Sequence, residues 1–277
     1  STLDRSSAAS DVYKRQTFNC GLKMSNSVSF GFTRDKQIEI REAPGTKNNP
    51  RKRKTGQPSG RTWGYKAAGL FKDQADIDNW AYQKGVLPGD IKYVDINGDG
   101  KIDSEDQVII GFNETPEVMW GYNLRLEYKN FDFSMFIQGA GGSDYYLGSN
   151  GDRNVRYPFK DAIHPRREHL DSWTEANPNP NAKYPRLSAS IRNQNYETSS
   201  YWMVNTAYVK LKSLQIGYTF KPQLLKKAKM QSLRLYADFY NLWTIYSKMP
   251  DDFDVENQAF NSYPQQIISS FGVSVTF

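Results

Sequence analysis

The run Asp95-Ile96-Asn97-Gly98-Asp99-Gly100-Lys101-Ile102-Asp103-Ser104-Glu105-Asp106 sets oxygen-bearing side chains at the spacing of a calcium loop. Asp95, Asn97 and Asp99 take its first, third and fifth positions, and Gly100 at the sixth permits the sharp turn. Lys101 would lend a backbone carbonyl, and Asp103 stands at the ninth position. The last position holds Asp106 where such loops usually carry Glu, so bidentate closure is not assured. The same residues also suit an Asp/Asn/Gly turn whose side chains cap their own backbone and need no metal. Oxygens gathered this closely repel one another without a cation, which tilts the expectation toward calcium. No helix signal flanks the loop. Pro88-Gly89 precedes it and the strand-like Val108–Ile110 follows, so it is not half of an EF-hand pair.

Little else in the chain is set up for chemistry. His164 and His169 lie five apart in a polar stretch, the wrong spacing for a helical zinc pair. The single Cys20 can form neither an internal disulfide nor a cysteine metal cluster. No Ser–His–Asp order and no Gly-rich phosphate loop is present, so no enzyme is expected. The net charge of +6 has one visible cluster, Arg51-Lys52-Arg53-Lys54. It sits among Pro, Gly, Asn and Ser, which fits a solvated loop better than a nucleic-acid surface.

The elements that carry these residues are strands. From Trp120 to Tyr128, Trp120, Tyr122, Leu124, Leu126 and Tyr128 alternate with Gly121, Asn123, Arg125 and Glu127. Only a strand with one apolar and one wet face sorts residues at period two. After Lys129-Asn130 the pattern returns through Phe131, Phe133, Met135 and Ile137, with Phe136 out of phase. A tight turn between two such arms makes an antiparallel hairpin. Such a hairpin serves a soluble sandwich or an outer-membrane barrel. Similar alternation runs through Leu22–Thr33, Gln37–Arg41 (after a turn at Arg34-Asp35), Leu214–Phe220, Leu233–Phe239 and Ile267–Phe277. Val209 and Leu211 fall on the opposite phase from Leu214, which a bulge would explain.

Connection lengths separate the two architectures. They alternate short and long: Arg34-Asp35, Pro44–Val118, Lys129-Asn130, Gly141–Tyr201, Lys221–Gln231, Tyr246–Pro264. Sandwiches rarely carry such long connections, whereas bacterial barrels join strands by short periplasmic turns and long extracellular loops. Aromatics make up 14% of residues while mean hydropathy is −0.73. That combination fits apolar residues confined to one strand face, with aromatic girdles. No apolar run of ~18 residues exists, so no transmembrane helix is expected, which does not bear on a barrel. The fold class expected is all-β: about seven antiparallel strands of a transmembrane barrel, its long loops outside and Arg34, Lys129 and Lys226 near the periplasm. Within the first long loop a helix is expected at Asp73–Tyr82, with Asp73 as its cap.

Several runs then carry a resemblance. Pro88-Gly89-Asp90-Ile91-Lys92-Tyr93, the acidic loop, Val108-Ile109-Ile110-Gly111 and Gly121-Tyr122-Asn123 resemble the signature of the SusC/RagA family of TonB-dependent transporters. So do Tyr128–Asp132, Gln138-Gly139, Ser172-Trp173, Tyr184-Pro185-Arg186 and Val209-Lys210-Leu211-Lys212. Gly217-Tyr218-Thr219, Tyr240-Asn241-Leu242 and Tyr263-Pro264 continue it. Ser270, Gly272, Val275 and the last residue, Phe277, resemble the signal that hands barrels to the outer-membrane assembly machinery. Asp251-Asp252 and Lys221-Pro222 depart from the family pattern.

The resemblance implies an integral outer-membrane barrel of about 22 strands around an N-terminal plug. It also implies import of oligosaccharides or oligopeptides, a SusD-type surface lipoprotein as cap, and power from TonB–ExbB–ExbD through the plug. Residues 17–277 would be the C-terminal part of such a barrel. Asp11–Gln16 resembles a translated sequencing-library transposon end, so residues 1–16 are expected to be an artefact outside the fold. In the import reading, Tyr145, Tyr146, Trp173, Tyr184, Tyr201 and Trp202 either stack on sugar rings or pack within the loops and girdles. The competing reading is a calcium-dependent surface docking protein without transport. It leaves the barrel strands without a purpose.

Overall fold

The computed structural model describes residues 2–147, 167–188, 194–250, 253–257 and 263–277. Seven strands form one antiparallel sheet in simple chain order. They are β1 (Thr2–Thr17), β2 (Lys23–Glu39), β3 (Val118–Tyr128), β4 (Phe131–Gly141), β5 (Tyr208–Thr219), β6 (Ser232–Ser247) and β7 (Ile268–Thr276). The register keeps each kind of residue in its own row. Tyr128, Phe131, Tyr218, Leu235 and Val273 lie side by side across β3–β7, as do Leu126, Phe133, Ile216, Ala237 and Phe271. On the opposite face run Arg125, Ser134, Gln215, Asp238 and Ser270, then Glu127, Asp132, Gly217, Tyr236 and Gly272. A one-residue slip would exchange the faces, so the apolar row fixes the pairing.

The wet face is knitted by its own polar groups. Arg234 grips Asp132 with two nitrogens and also donates to the Gln215 side chain at 3.1 Å. Gln215 in turn donates to Asp238. Phe136, out of phase in the sequence, stands on this face above Gly121, where an added Cβ would come 2.8 Å from its ring. The glycine is the socket for the aromatic. The phase slip in β5 is a bulge: pairing shifts between Leu211 and Ser213 against both neighbours. It turns Lys210 and Lys212 to the wet face beside Gln138, in line with Gln215.

One expectation is corrected. Arg34-Asp35 is not a turn, because β2 runs unbroken from Lys23 to Glu39. Arg34 lies at the long-loop end, where its Nε donates to Glu117 at 3.0 Å, and Asp35 accepts the Ser59 N–H at 3.0 Å. The first short connection is Phe18–Leu22, with Gly21 at φ +84. The count of seven stands only because residues 2–17 form β1, paired along its length with β2. The outward row of β1 (Ala8, Ser10, Val12, Lys14, Gln16) is largely polar, with Lys14 opposite Asn26. Long and short connections still alternate, and Lys129 and Lys226 keep their places at the short-turn end.

β1 and β7 each pair on one side only. In lipid an unpaired row of backbone groups is prohibitively costly, so a wall of this type needs partners along both edges. None of the helices among the described residues is long and apolar enough to cross a membrane.

Candidate functional site

In the first two long connections, residues 40–117, 142–147, 167–188 and 194–207 fold together into one module at the end of the sheet. Ala67–Leu70 pairs with Ile91–Tyr93, Trp63–Gly64 with Val108–Ile109, and Asp144–Tyr146 with Met203–Asn205. Tyr65 bridges to Ser199 across the two connections. Leu70, Ile91, Tyr93, Tyr145, Trp173 and Tyr184 form its core together with Leu147, Ala182 and Trp202. These loops bury enough apolar surface to hold a shape, which ordinary surface loops do not.

At the centre sits a fully buried carboxylate. Asp90 accepts from Arg186 Nε at 3.1 Å and Nη2 at 3.2 Å, from Asn195 Nδ2 at 2.9 Å and from the Leu87 N–H at 2.8 Å. Asn195 Oδ1 accepts the Ile91 N–H at 2.7 Å, and its carbonyl accepts Trp202 Nε1 at 2.9 Å. Gln83 caps the Ile91–Tyr93 strand, donating to the Ile91 carbonyl and accepting the Tyr93 N–H. Gly89 has φ +84, and a Cβ there would stand 2.2 Å from the Trp173 ring. Left-handed backbone and contact with the indole both demand glycine. The runs Pro88–Tyr93, Ser172-Trp173 and Tyr184–Arg186 therefore meet in one buried joint.

That joint decides the fate of the aromatics. Tyr145, Trp173, Tyr184 and Trp202 are buried in the core and present no face to a sugar ring. Burial also raises the Tyr201 phenol above its ordinary range. His169 is buried with its ring 4.9 Å from Tyr184, and His164 lies outside the described residues.

The acidic loop is a turn that bonds itself. Asp95 accepts the N–H groups of Gly98 and Gly100, Asn97 that of Asp99, and Asp99 that of Lys101. Asp106, fully buried, accepts from Ile96, Asn97 and Asp103, while Asp103 accepts from Glu105 in a reciprocal capping box. The Gly100 N–H holds the Asp95 carboxyl below its ordinary range, and Lys101, 2.9 Å away, does the same for Asp103. Among the described residues no group of three or more His, Cys, Asp or Glu is gathered as a metal site. The helix nearby is shorter than expected, Gln74–Asp78, with Asp73 as its cap.

No family model matches the chain. It is 28% identical over 234 residues to TonB-dependent receptor P3 of Formosa agariphila, which covers 79% of this chain and 22% of that protein. It is 24% identical over 200 residues to TonB-dependent receptor SusC of Bacteroides thetaiotaomicron, covering 71% of this chain and 18% of that one. The structure of the RagAB peptide transporter superposes with a TM-score of 0.73 at 16% identity, covering 99% of this chain and 29% of that chain. Sequence relatives and fold point the same way. The chain is similar to part of TonB-dependent receptors, SusC among them, and shares its fold with part of the RagAB transporter. It spans 22% of the length of P3 and 28% of that of the related receptor P39.

The apolar rows form one face of the sheet and the polar rows the other. Leu124, Phe133, Leu235 and Val273 lie on the first, and Arg125, Arg234 and Asp238 on the second. On β7, Ser270 and Gly272 lie on the polar face, Val275 pairs with Leu233 on the apolar side, and Phe277 follows at the short-turn end. In the third connection residues 253–257 lie against the polar face, where Val255 packs on Ala140 and Tyr208. Its Glu256 bonds Lys210 at 3.0 Å and Lys212 at 2.7 Å.

Sequence reading missed this cluster and the Asp90–Arg186–Asn195 joint. The signature runs held the joint's residues, but separations of 96 and 105 positions hide a contact. For the lysines the bulge phase was the available signal: it put them on the wet face, where charge needs a partner.

Proposed function

We propose that this segment is the wall and outer gate of a TonB-dependent importer of an oligomeric nutrient, oligopeptide or oligosaccharide. A SusD-type lipoprotein would cap it, and TonB would pull on the plug of the complete receptor. One observation carries the reading. From β2 to β7 the sheet has one largely apolar face and one bonded polar face, and its first two long connections form a folded module at one end. A surface docking protein needs the module but not the wall. RagAB is described as a peptide transporter, which supports an oligopeptide cargo. Ser270, Gly272, Val275 and Phe277 would serve assembly, and the acidic loop would bind calcium only by adding a cation to carboxylates already used by the backbone. Uptake of labelled oligopeptides and oligosaccharides by cells lacking the receptor, or lacking TonB, tests the proposal. Both deletions are expected to abolish uptake of the same oligomer. Uptake that needs the receptor but continues without TonB would overturn it.

A further inference from the structure

The lysine cluster on the inner wall has the form of a binding site already filled. Lys210 and Lys212 project from β5 just inside the loop end, with side chains 5% and 17% exposed. Lys210 reaches one oxygen of Glu256, and Lys212 reaches both, at 2.9 and 2.7 Å. Tyr208 Oη lies 3.5 Å from the same carboxylate and accepts from Gln138 Nε2 at 3.1 Å. Every donor belongs to the wall; the acceptor alone comes from a loop.

The charges are uneven. Two shielded ammonium groups share one carboxylate, and the next nearest, Asp254, is engaged with the N–H groups of Glu256, Asn257 and Gln265. Those bonds hold Phe253–Asn257 as a small turn that presents Glu256 to the wall. Burial pushes the Glu256 carboxyl up, but hydrogen bonds from Lys212 and Lys210 outweigh it and keep it ionised. Pulling Glu256 away with nothing in its place would strand two cations, which is strongly unfavourable. Exchanging it for another carboxylate conserves the charge-assisted bonds and costs little.

We infer that Lys210 and Lys212 form a carboxylate subsite on the lumen wall, held by Glu256 at rest and taken over by an acidic oligopeptide during passage. The inference rests on the import reading above. A peptide is favoured over an acidic sugar because the occupant seen is itself a glutamyl side chain on a turn of peptide.

The test is equilibrium binding to the purified full-length receptor. The probe is a labelled, end-capped pentapeptide of this chain's own residues 253–257, with a counterpart in which both acids are amides. Glu256→Gln removes the internal competitor and is expected to raise affinity for the acidic peptide at least tenfold, leaving the amide peptide unchanged. Adding Lys212→Gln to that variant should abolish the gain. Should Glu256→Gln fail to assemble, Glu256→Asp keeps the charge with a shorter reach and is expected to give a gain of about threefold. No gain in the variant that assembles, or an equal gain for both peptides, would overturn the proposal. So would displacement by oligogalacturonate where the acidic peptide shows none, which would assign the subsite to sugars. Because binding is read without transport, failure here leaves the import test standing.

Discussion

Asp90→Ala is expected to unravel the outer loop module while the barrel wall stays assembled. The carboxylate is fully buried and receives four hydrogen bonds from Arg186, Asn195 and Leu87. Its removal leaves the partly exposed Arg186 without its counter-ion and deprives Asn195 of one of its contacts. Deleting one partner of a buried ion pair typically costs about 3–5 kcal/mol. That exceeds what a loop module tied to a rigid wall can be expected to absorb locally. In the full-length receptor, limited proteolysis should cut the Asp90→Ala variant between Thr62 and Asn205 under conditions that spare the wild type. Heat-modifiable gel migration, which reports the barrel, should not change. Asn181→Ala, at an exposed position of the same module, is the control and should behave as wild type. Indifference of Asp90→Ala would show that the joint does not hold the module together. The same digest with a calcium chelator reads the acidic loop: a self-bonded turn predicts identical cutting, and chelator-dependent exposure of Lys92–Gln107 would reinstate calcium.

A second large effect is expected from one arginine placed on either side of the wall. Phe133 lies in the row of Leu126, Ile216, Ala237 and Phe271, and Ser134 in the row of Arg125, Gln215 and Asp238. The positions are adjacent in sequence and opposite in surroundings. Arg on the lipid face near the midplane costs ~2–4 kcal/mol, whereas an inner-facing Arg beside Asp238 has water and a carboxylate nearby. Phe133→Arg, close to the short-turn end, should destabilise the fold in lipid more than Ser134→Arg, though by less than the midplane cost. Equal losses, measured by urea titration of the full receptor in bilayers, would mean the faces are misassigned.

How far the sequence could be read follows from the range of each interaction. Alternation at Trp120–Ile137 and Leu214–Phe239 depends on neighbours two apart, so it identified strands, faces and the bulge near Leu211. Arg34-Asp35 misled because two charged residues in a strand look like a turn until Glu117 and Ser59 are seen to engage them. Residues 1–16 were set aside on the resemblance of Asp11–Gln16 to a transposon end, and their pairing with β2 is backbone bonding, which any side chain permits. The acidic loop's spacing was legible, but whether carboxylates face a cation or their own amides is a matter of rotamers. The Asp90 joint and the Lys210–Lys212–Glu256 cluster join distant segments, and no local pattern encodes them.

The central claim is that this chain is a membrane wall with its long loops outside and its short turns within the periplasm. Cys20, exposed in the turn between β1 and β2, is a native reporter of the inner side. Glu175, exposed in the second long connection, reports the outer side when replaced in a Cys20→Ser background, as Glu175→Cys. The measurement is labelling of intact and permeabilised cells by a polyethylene-glycol maleimide too bulky to cross the outer membrane. Glu175→Cys is expected to be labelled in intact cells, and Cys20 only after permeabilisation. Labelling of Cys20 in intact cells, with Glu175→Cys protected until permeabilisation, would contradict it.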